Sequence, residues 1–582
     1  MLGVDHRQTL GSGGRGTVVS SFEPHMQRLT STMNERNIRV GLLLDDTTVP
    51  VWIEEMIKLI AAQQGIEVVL TVKYSLRSPS PQSIKAAHVP WSLSIWMALD
   101  KRLMKVRHDA FRMVDLSPTL SKVPMLNVDV ERKQHGDVFG PGDVARIADY
   151  GVTVLLSFGP LRPYGDIFEA SACGIWSHVH GEDSSERTGP VGAWDILLNR
   201  AATSTALQFQ LRGDQCSHLL QRSWSRTYPF SIHRNRSLCY WKTVSFASLR
   251  LRELQRIGEK HFNEKYAGSS ASSASHHGKK IHRATNVTCL WLIHCLLLRS
   301  IAKKLRDLRA IEQWMLLYQI NDEKDLPRQI HTFQYLVPPK DRFWADPFVV
   351  ERGGQYVAFI EELEYARKKG HISVIYFDLN EQPVLPPTKV LERPYHLSYP
   401  FMLEDNGELY MIPETHENRT IELYRCVNFP DQWEHVMNLM NDVMAVDTTI
   451  WHHAGKYWLF AGMHQNEHAS SSEELFLFWA DTLVTDEWHP HPSNPIVSDA
   501  RCARPAGAIF YHDGHWYRPA QDCTGNYGRA LSFQRIDVID ETSYKETAVS
   551  RIDADWDDSI ERVHTFNRRG RLTFIDGMKT RA

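Results

Sequence analysis

The chain has 582 residues, is 42% hydrophobic and 23% charged, and carries a formal net charge of −3. That length exceeds one ordinary core and predicts two or three domains. The near-neutral balance gives no ground for nucleic acid or an anionic membrane as partner. The eight cysteines are scattered without a CxxC pair, which speaks against a zinc site or disulfide scaffold and for a reducing, cytoplasmic setting.

Residues 1–36 are polar, lack the apolar core of a signal peptide and read as a disordered tail. IRVGLLLDD (38–46) has the pattern of a buried strand, VPVWIEEMIKLIAAQQG (49–65) that of an amphipathic helix ending at glycine, and IEVVLTVKY (66–74) that of a second strand. This β-α-β opening predicts a parallel α/β domain over 37–250. GDVARIADYG (142–151) adds a helix and VTVLLSFGP (152–160) a central strand. No GxGxxG follows the first strand, so a dinucleotide is not expected.

A flexible linker is expected at AGSSASSASHHG (267–278), within a linker and helical connection over 251–311. VTCLWLIHCLLL (287–298) is apolar for about a dozen residues, short of the ~20 that span a bilayer, and is interrupted by His294. With KKLRDLR after it, it reads as a helix packed on a neighbouring domain. A stable span is not expected; peripheral association stays open.

From residue 312 helical periodicity gives way to short β-forming runs. Five segments share one plan of polar opening, apolar strand, glycine hairpin, apolar strand and polar exit: 344–362, 398–415, 446–463, 504–522 and 559–577. Their hairpin glycines are 354, 407, 455, 514 and 570. Self-similarity at such a period is the signature of propeller blades. Outer strands follow the first four units; those of the fifth come from upstream, QWMLLYQI (313–320) and IHTFQYLVP (330–338). The expectation is a multidomain chain in which a Rossmann-like α/β domain precedes an all-β five-bladed propeller over 312–582.

In a blade, the start of strand one and the end of strand two lie on one face. The expected axial groups are therefore Asp346 with Glu361 or Glu362, Tyr399 with Glu414, Asp447 with His464, Arg504 with Asp522, and His564 with Asp576. Two carboxylates across a pocket suit glycoside chemistry, one as base or nucleophile and the other as acid. An arginine beside them would hold a carboxylate or a hydroxyl. Asp346, Glu414 and Asp447 are the catalytic candidates; Glu361, Tyr399, Arg504, Asp522 and His564 are the substrate-binding ones. No metal ligand set is assigned, and calcium in the channel is left open.

Through FWADPF, HLSYPF, GELYMIPE and LYRCVNFPDQW, the propeller resembles the N-terminal, non-transferase region of plant glucosamine inositolphosphorylceramide transferases and their bacterial relatives. More distantly it resembles the five-bladed arabinanase and invertase clan. That likeness implies a base or nucleophile at Asp346 and an acid glutamate on a later blade, for which Glu414 stands as candidate although the clan's acid motif is not evident. GIWSHVHGEDSSERTGPVGAWDIL (174–197) resembles the active-site segment of the methionyl-tRNA formyltransferase fold. Gly174, Arg187, Trp194 and Asp214 fit its frame. Ser177 and Val179 replace the family's asparagine and histidine, and His178 or His180 would substitute only with a one-residue shift. An active site of that kind implies 10-formyltetrahydrofolate as donor; the alternative is a retained fold without the chemistry.

Three functions follow as expectations. In the first, the propeller binds and processes a sugar or glycoconjugate by hydrolysis or glycosyl transfer. In the second, the propeller is a binding module that recognises a glycan and presents it to the first domain. In the third, the first domain transfers a formyl or acyl group to an amino sugar, and the propeller is its glycan-binding accessory.

Overall fold

The computed structural model describes residues 36–77, 89–180, 192–214, 217–268, 285–309, 311–321, 332–465, 469–525, 527–557 and 559–581. The expected tail, up to residue 35, and residues 269–284 of the expected linker lie outside them. The chain divides into two compact units, Thr30–Leu298 and one containing Arg299–Ala582.

The first unit is built on a nine-stranded sheet. Its strands are β1 (Ile38–Leu44), β2 (Ile66–Arg77), β3 (Met125–Arg132), β4 (Asp137–Phe139), β5 (Val154–Ser157), β6 (Pro163–Tyr164), β7 (Ile175–His180), β8 (Ala202–Gln210) and β9 (His218–Arg226). They lie in the order β9-β8-β7-β5-β1-β2-β3-β4-β6. β1 pairs in parallel with β2 and β5, whereas β8 runs antiparallel to β7 and β9. The order turns around at the β1–β5 pair, as in doubly wound α/β folds.

Both faces of this sheet are covered, which is why β1 and β5 read as continuous apolar runs. On one face Val40, Leu42 and Leu156 pack with Met56, Ile57 and Ile60 of the Val51–Ala61 helix. On the other, Leu43, Val72 and Leu155 pack with Val144 and Ile147 of the Pro141–Ala148 helix. The region expected as a connection from 251 is not one at its start. Leu251 and Leu254 of the Phe246–Ile257 helix, and Phe262 and Tyr266 of Glu259–Tyr266, are buried in the first core. Their apolar period of three and four makes them core helices of this unit.

The second unit is the five-bladed propeller. Blade one is Arg342–Arg352, Gln355–Glu364, Lys369–Phe377 and Pro383–Leu391; blade two is Ser398–Asp405, Glu408–Thr415, Thr420–Asn428 and Gln432–Asn441. Blade three has Val446–His453, Lys456–Gly462 and Glu474–Ala480, with the short His489–Pro490 and Val497–Ser498 both pairing the last of these. Blade four is Phe510–His512, His515–Asp522, Ala530–Ile539 and Tyr544–Asp553. Blade five joins the two ends of the unit: Arg562–Arg569 and Leu572–Arg581 are completed by Ile311–Ile320 and Gln334–Leu336. Ten residue pairs, from Ile311 with Arg581 to Ile320 with Leu572, make that seam. It leaves Leu572–Arg581 no open edge.

The seam makes the N-terminal strand of the propeller indispensable. A chain beginning near residue 305 should unfold cooperatively and stay soluble, whereas one beginning at 340 should aggregate. Matching thermal melts and light scattering for the two would overturn this account.

Candidate functional site

Carboxylates and other polar side chains sit at the mouths of the buried inner strands. Four inner strands break register at one equivalent place: between Ala345 and Phe348, Ser398 and Phe401, Val446 and Thr449, and Val563 and Phe566. Each break is a β-bulge, and the first residue inside it is Asp346, Tyr399, Asp447 or His564. Asp346, Tyr399 and Asp447 take φ of 50°, 43° and 50°. That left-handed conformation is tolerable for aspartate and costly for tyrosine, so something outside the strand must hold it.

The neighbouring blade holds it. Asp346 Oδ2 of blade one accepts the Tyr399 N–H of blade two at 3.1 Å. Glu414 Oε2 of blade two accepts the Asp447 N–H of blade three at 3.1 Å. Arg504, at the start of blade four's inner segment, clamps Asp447 through Nε at 2.5 Å and Nη2 at 3.2 Å. Asp576 Oδ2 of blade five closes the ring by accepting the Asp346 N–H at 3.0 Å. Tyr399 ties further blades together: its hydroxyl lies 2.9 Å from Thr449 Oγ1 and accepts the Gly507 N–H at 2.7 Å. Gly507 has φ of +140°, and a Cβ there would sit 2.0 Å from the Phe566 carbonyl oxygen, so blades four and five meet where only glycine fits.

The ring is also an electrostatic device. Burial pushes the Asp346 carboxyl up to about 7, against the pull of His564. His564 stands between two acids, Nε2 3.3 Å from Asp346 and Nδ1 2.7 Å from Asp576. Burial opposes its charge, yet the two carboxylates raise it to about 9. Glu414 goes the other way. Burial would raise it, but His416 Nδ1 at 2.7 Å and Arg504 at 3.6 Å hold its carboxyl far below the usual range. His396 Nε2 lies 3.1 Å from Glu361, which lifts this imidazole to about 9 in spite of burial. One network thus holds a carboxyl raised to about 7 and another held well below the usual range. Glu414 is lowered because it has two cationic neighbours; Asp447, buried beside Glu414 and Asp346, is raised well above the usual carboxylate range in spite of Arg504, as Asp346 is in spite of His564.

Asp346, His564 and Asp576 each bring a ligand atom within 4.8 Å of the others, the one such grouping among the described residues. His564, raised to about 9, already supplies a positive charge between the two acids. Asp576 Oδ1 takes the N–H groups of His564 and Thr565, and Asp346 Oδ1 takes the Thr565 hydroxyl at 2.8 Å. The donors are committed to protein partners, and the set does not fit a cation.

The axis thus gathers Asp346, Glu361, Tyr399, Glu414, Asp447, Arg504 and His564. Asp522 is a correction. Its Oδ1 accepts from Thr524 and its Oδ2 pairs with Arg551 at 2.5 Å, toward the outer strands of its own blade. The preceding residue faces the axis: Gln521 Nε2 donates to Asp447 Oδ2 at 2.7 Å. Glu362 likewise turns away, to Arg342, His371 and Ser373, leaving Glu361 inside. The period of two along a strand decides each case, and a bulge nearby shifts the parity. His416 was legible in IPETHEN, two residues after the axial Glu414, whereas HLSYPF shows His396 three residues before Tyr399 and gives no sign of its partner Glu361. Tyr527, whose ring lies 4.8 Å from the Arg504 guanidinium and 5.4 Å from His564, sits in a loop without any motif.

The formyltransferase-like residues are not brought together. His178 is wedged against Trp52 and Phe158, and burial lowers its pKa to about 4. Ser177 accepts a hydrogen bond from Gln208 on β8 at 3.3 Å. Asp214 caps the β8–β9 hairpin, bonding the Leu211 N–H at 2.8 Å and lying 3.1 Å from His218. Because Gln210 pairs with Ile175 and Leu207 with His178, that hairpin lies at the opposite end of β7 from His180. Three strand residues, ~10 Å, separate Ile175 from His178, so Asp214 cannot work with either histidine. Arg187 lies outside the described residues.

The fold and site define a five-bladed propeller with a buried ring of carboxylates and cations at one end of its axis. Residues 337–568 match the family described as "Glucosamine inositolphosphorylceramide transferase 1, N-terminal", so the likeness carried by FWADPF and its companions is borne out. Glucosamine inositolphosphorylceramide transferase 1 of Arabidopsis thaliana is 35% identical over 210 residues, 36% of this chain and 27% of that protein. The protein of the same name in Oryza sativa subsp. japonica is 30% identical over 211 residues, 36% and 28% respectively. The chain spans about a quarter of the length of these relatives. Among solved structures, the catalytic domain of Coprinopsis cinerea GH62 alpha-L-arabinofuranosidase aligns with TM-score 0.33 at 10% identity, covering 46% of this chain and 97% of that one. Zg3597, a family 117 glycoside hydrolase of Zobellia galactanivorans, aligns with TM-score 0.30 at 12% identity, covering 47% and 91%.

Two outcomes test the ring. Tyr399→Phe removes the acceptor of the buried Gly507 N–H and should cost about 1–3 kcal/mol; an unchanged melting temperature would refute the cross-blade role. His564 and His396 are raised from about 6.5 to about 9. A raised pKa stabilises fully below the unfolded value and is lost as pH rises through the folded one. Stability should therefore fall between about pH 6.5 and 9, and His564→Gln should flatten that slope in melts taken across the range.

Proposed function

We propose that the axial end of the propeller binds a sugar or glycoconjugate and cleaves or transfers a glycosyl group. The supporting observation is the opposed behaviour of two buried carboxyls in one hydrogen-bonded ring: Asp346 up to about 7, Glu414 held ionised. In this reading the Asp346 proton passes to the leaving glycosidic oxygen, and Glu414 takes a proton from the attacking water or hydroxyl. Arg504 and His416 keep Glu414 charged, and half-buried Tyr527, resting edge-on against the buried Trp314, offers an aromatic surface beside the acids. The near balance of acids against Arg504, His396, His416 and His564 suits a neutral, hydroxyl-rich ligand better than an anion.

A second reading is a glycan-binding module without turnover. The saturation of the acids favours it: both Asp346 oxygens and both Asp447 oxygens already accept protein hydrogen bonds. The match to relatives named as transferases covers 27–28% of their length, so their activity is not carried over whole.

A panel of aryl glycosides assayed beside a glycan array separates the readings. Processing predicts turnover that falls as pH rises through about 7, and a loss of ~10²–10⁴ in rate for Asp346→Asn or Glu414→Gln with glycan binding retained. Asparagine can still offer its oxygen to the Tyr399 N–H, so the fold should survive. Binding without turnover by the unaltered protein would leave the module reading; absence of both would sink the proposal.

A further inference from the structure

In the first unit, the Trp91–Leu103 helix and the first half of the Asn286–Arg309 helix lie against each other. The Ser92 N–H and Oγ bond to Asn286 Oδ1 at 3.2 and 3.1 Å, joining the two helix starts. Leu93 shares a buried cluster with Cys289, Leu292, Ile293 and Leu296. One face of each helix is thereby spent. The opposite faces are apolar too. Trp91, Ile95, Leu99 and Leu103 recur every four residues and are 57%, 53%, 47% and 72% exposed. On the second helix, Val287, Leu290, Trp291, Leu297 and Leu298 are 77%, 49%, 63%, 43% and 52% exposed. A surface helix ordinarily buries one apolar stripe; a second, outward one needs a non-aqueous neighbour.

Charge says which neighbour. Between residues 91 and 108 the sole acid is Asp100, and it is buried, accepting from Ser231 Oγ at 3.1 Å and the His233 N–H at 2.8 Å. Lys101, Arg102, Lys105 and Arg107 are all exposed. Residues 285–298 contain no acid. The net charge of −3 hides this concentration. Tryptophan and leucine on one side with lysine and arginine flanking them is the composition of a helix lying in a membrane interface. No helix among the described residues is long and apolar enough to cross a membrane.

We propose that these two helices form a docking face for a bilayer containing anionic lipid, with the apolar stripes entering the headgroup boundary and the basic residues meeting lipid phosphates and carboxylates. A second copy of the chain would bury the same stripes but bring two basic rims together. The polar segments 78–88 and 269–284 each hold one large aliphatic residue, Ile84 and Ile281, too little to cover the face. The inference stands on the first unit and is independent of the propeller's chemistry.

The full chain is sedimented with vesicles of phosphatidylcholine alone and of phosphatidylcholine with phosphatidylserine. Binding at least tenfold stronger to the anionic vesicles, weakening as salt rises, is expected. Trp91→Ser with Trp291→Ser, and separately Lys101→Glu with Arg102→Glu and Lys105→Glu, should each lower it by tenfold or more. These residues are exposed, so melts should be unchanged; should a variant misfold, the salt and lipid dependence of the unaltered chain still decides. No binding to anionic vesicles, equal binding to both kinds, or variants that bind as well as the parent would each overturn the proposal. So would a concentration-dependent dimer in light scattering without vesicle binding, which assigns the face to a second copy.

Discussion

The propeller depends on one repeated contact: a carboxylate of one blade accepting the backbone N–H of the next blade's bulge. A bulge frees an N–H from its own ladder, and a free N–H inside a protein must find a partner. Asp346 supplies it for Tyr399, Glu414 for Asp447, and Asp576 for Asp346. The strain of a left-handed tyrosine is thus offset across a blade boundary, and adjacent blades are fixed by directional bonds as well as by apolar packing.

The same contact explains the unusual charge pattern. Acids drawn to the axis to accept N–H groups are buried together, and such a group would be unstable without cations among them. His564 between Asp346 and Asp576, and Arg504 between Glu414 and Asp447, provide these. Unequal sharing of the cations then separates the acids: Glu414, beside two, is lowered, whereas Asp346 and Asp447, beside one each, are raised. Structural need and acid–base character come from one arrangement, which is why a single substitution at Asp346 touches both.

The first unit obeys a different rule. Its parallel strands are buried on both faces and leave their side chains little freedom, so His178, a catalytic candidate by its position in a motif, becomes a packing residue between Trp52 and Phe158. The motif's Asp214 is carried to the other end of β7 by the β8–β9 hairpin. Likeness of a short segment does not bring distant residues to one place.

Local pattern sufficed for the blades. Alternating apolar runs around glycine hairpins imply antiparallel strands, and a fifth unit lacking outer strands implies that upstream ones close it, because an open edge is not tolerated. Placing Asp346, Glu414, Asp447, Arg504 and His564 at one axial end needed only the geometry of a strand pair. What the order of residues could not settle was parity and charge. Whether Gln521 or Asp522, Glu361 or Glu362, faces inward depends on register through a bulge, and a bulge leaves no certain mark in sequence. Which acid keeps its proton depends on how many cations lie within a few ångströms of it, and those cations come from other blades. Likewise the outward stripe of Trp91, Ile95, Leu99 and Leu103 is indistinguishable from a core stripe until the tertiary packing shows which face the neighbouring helices have taken.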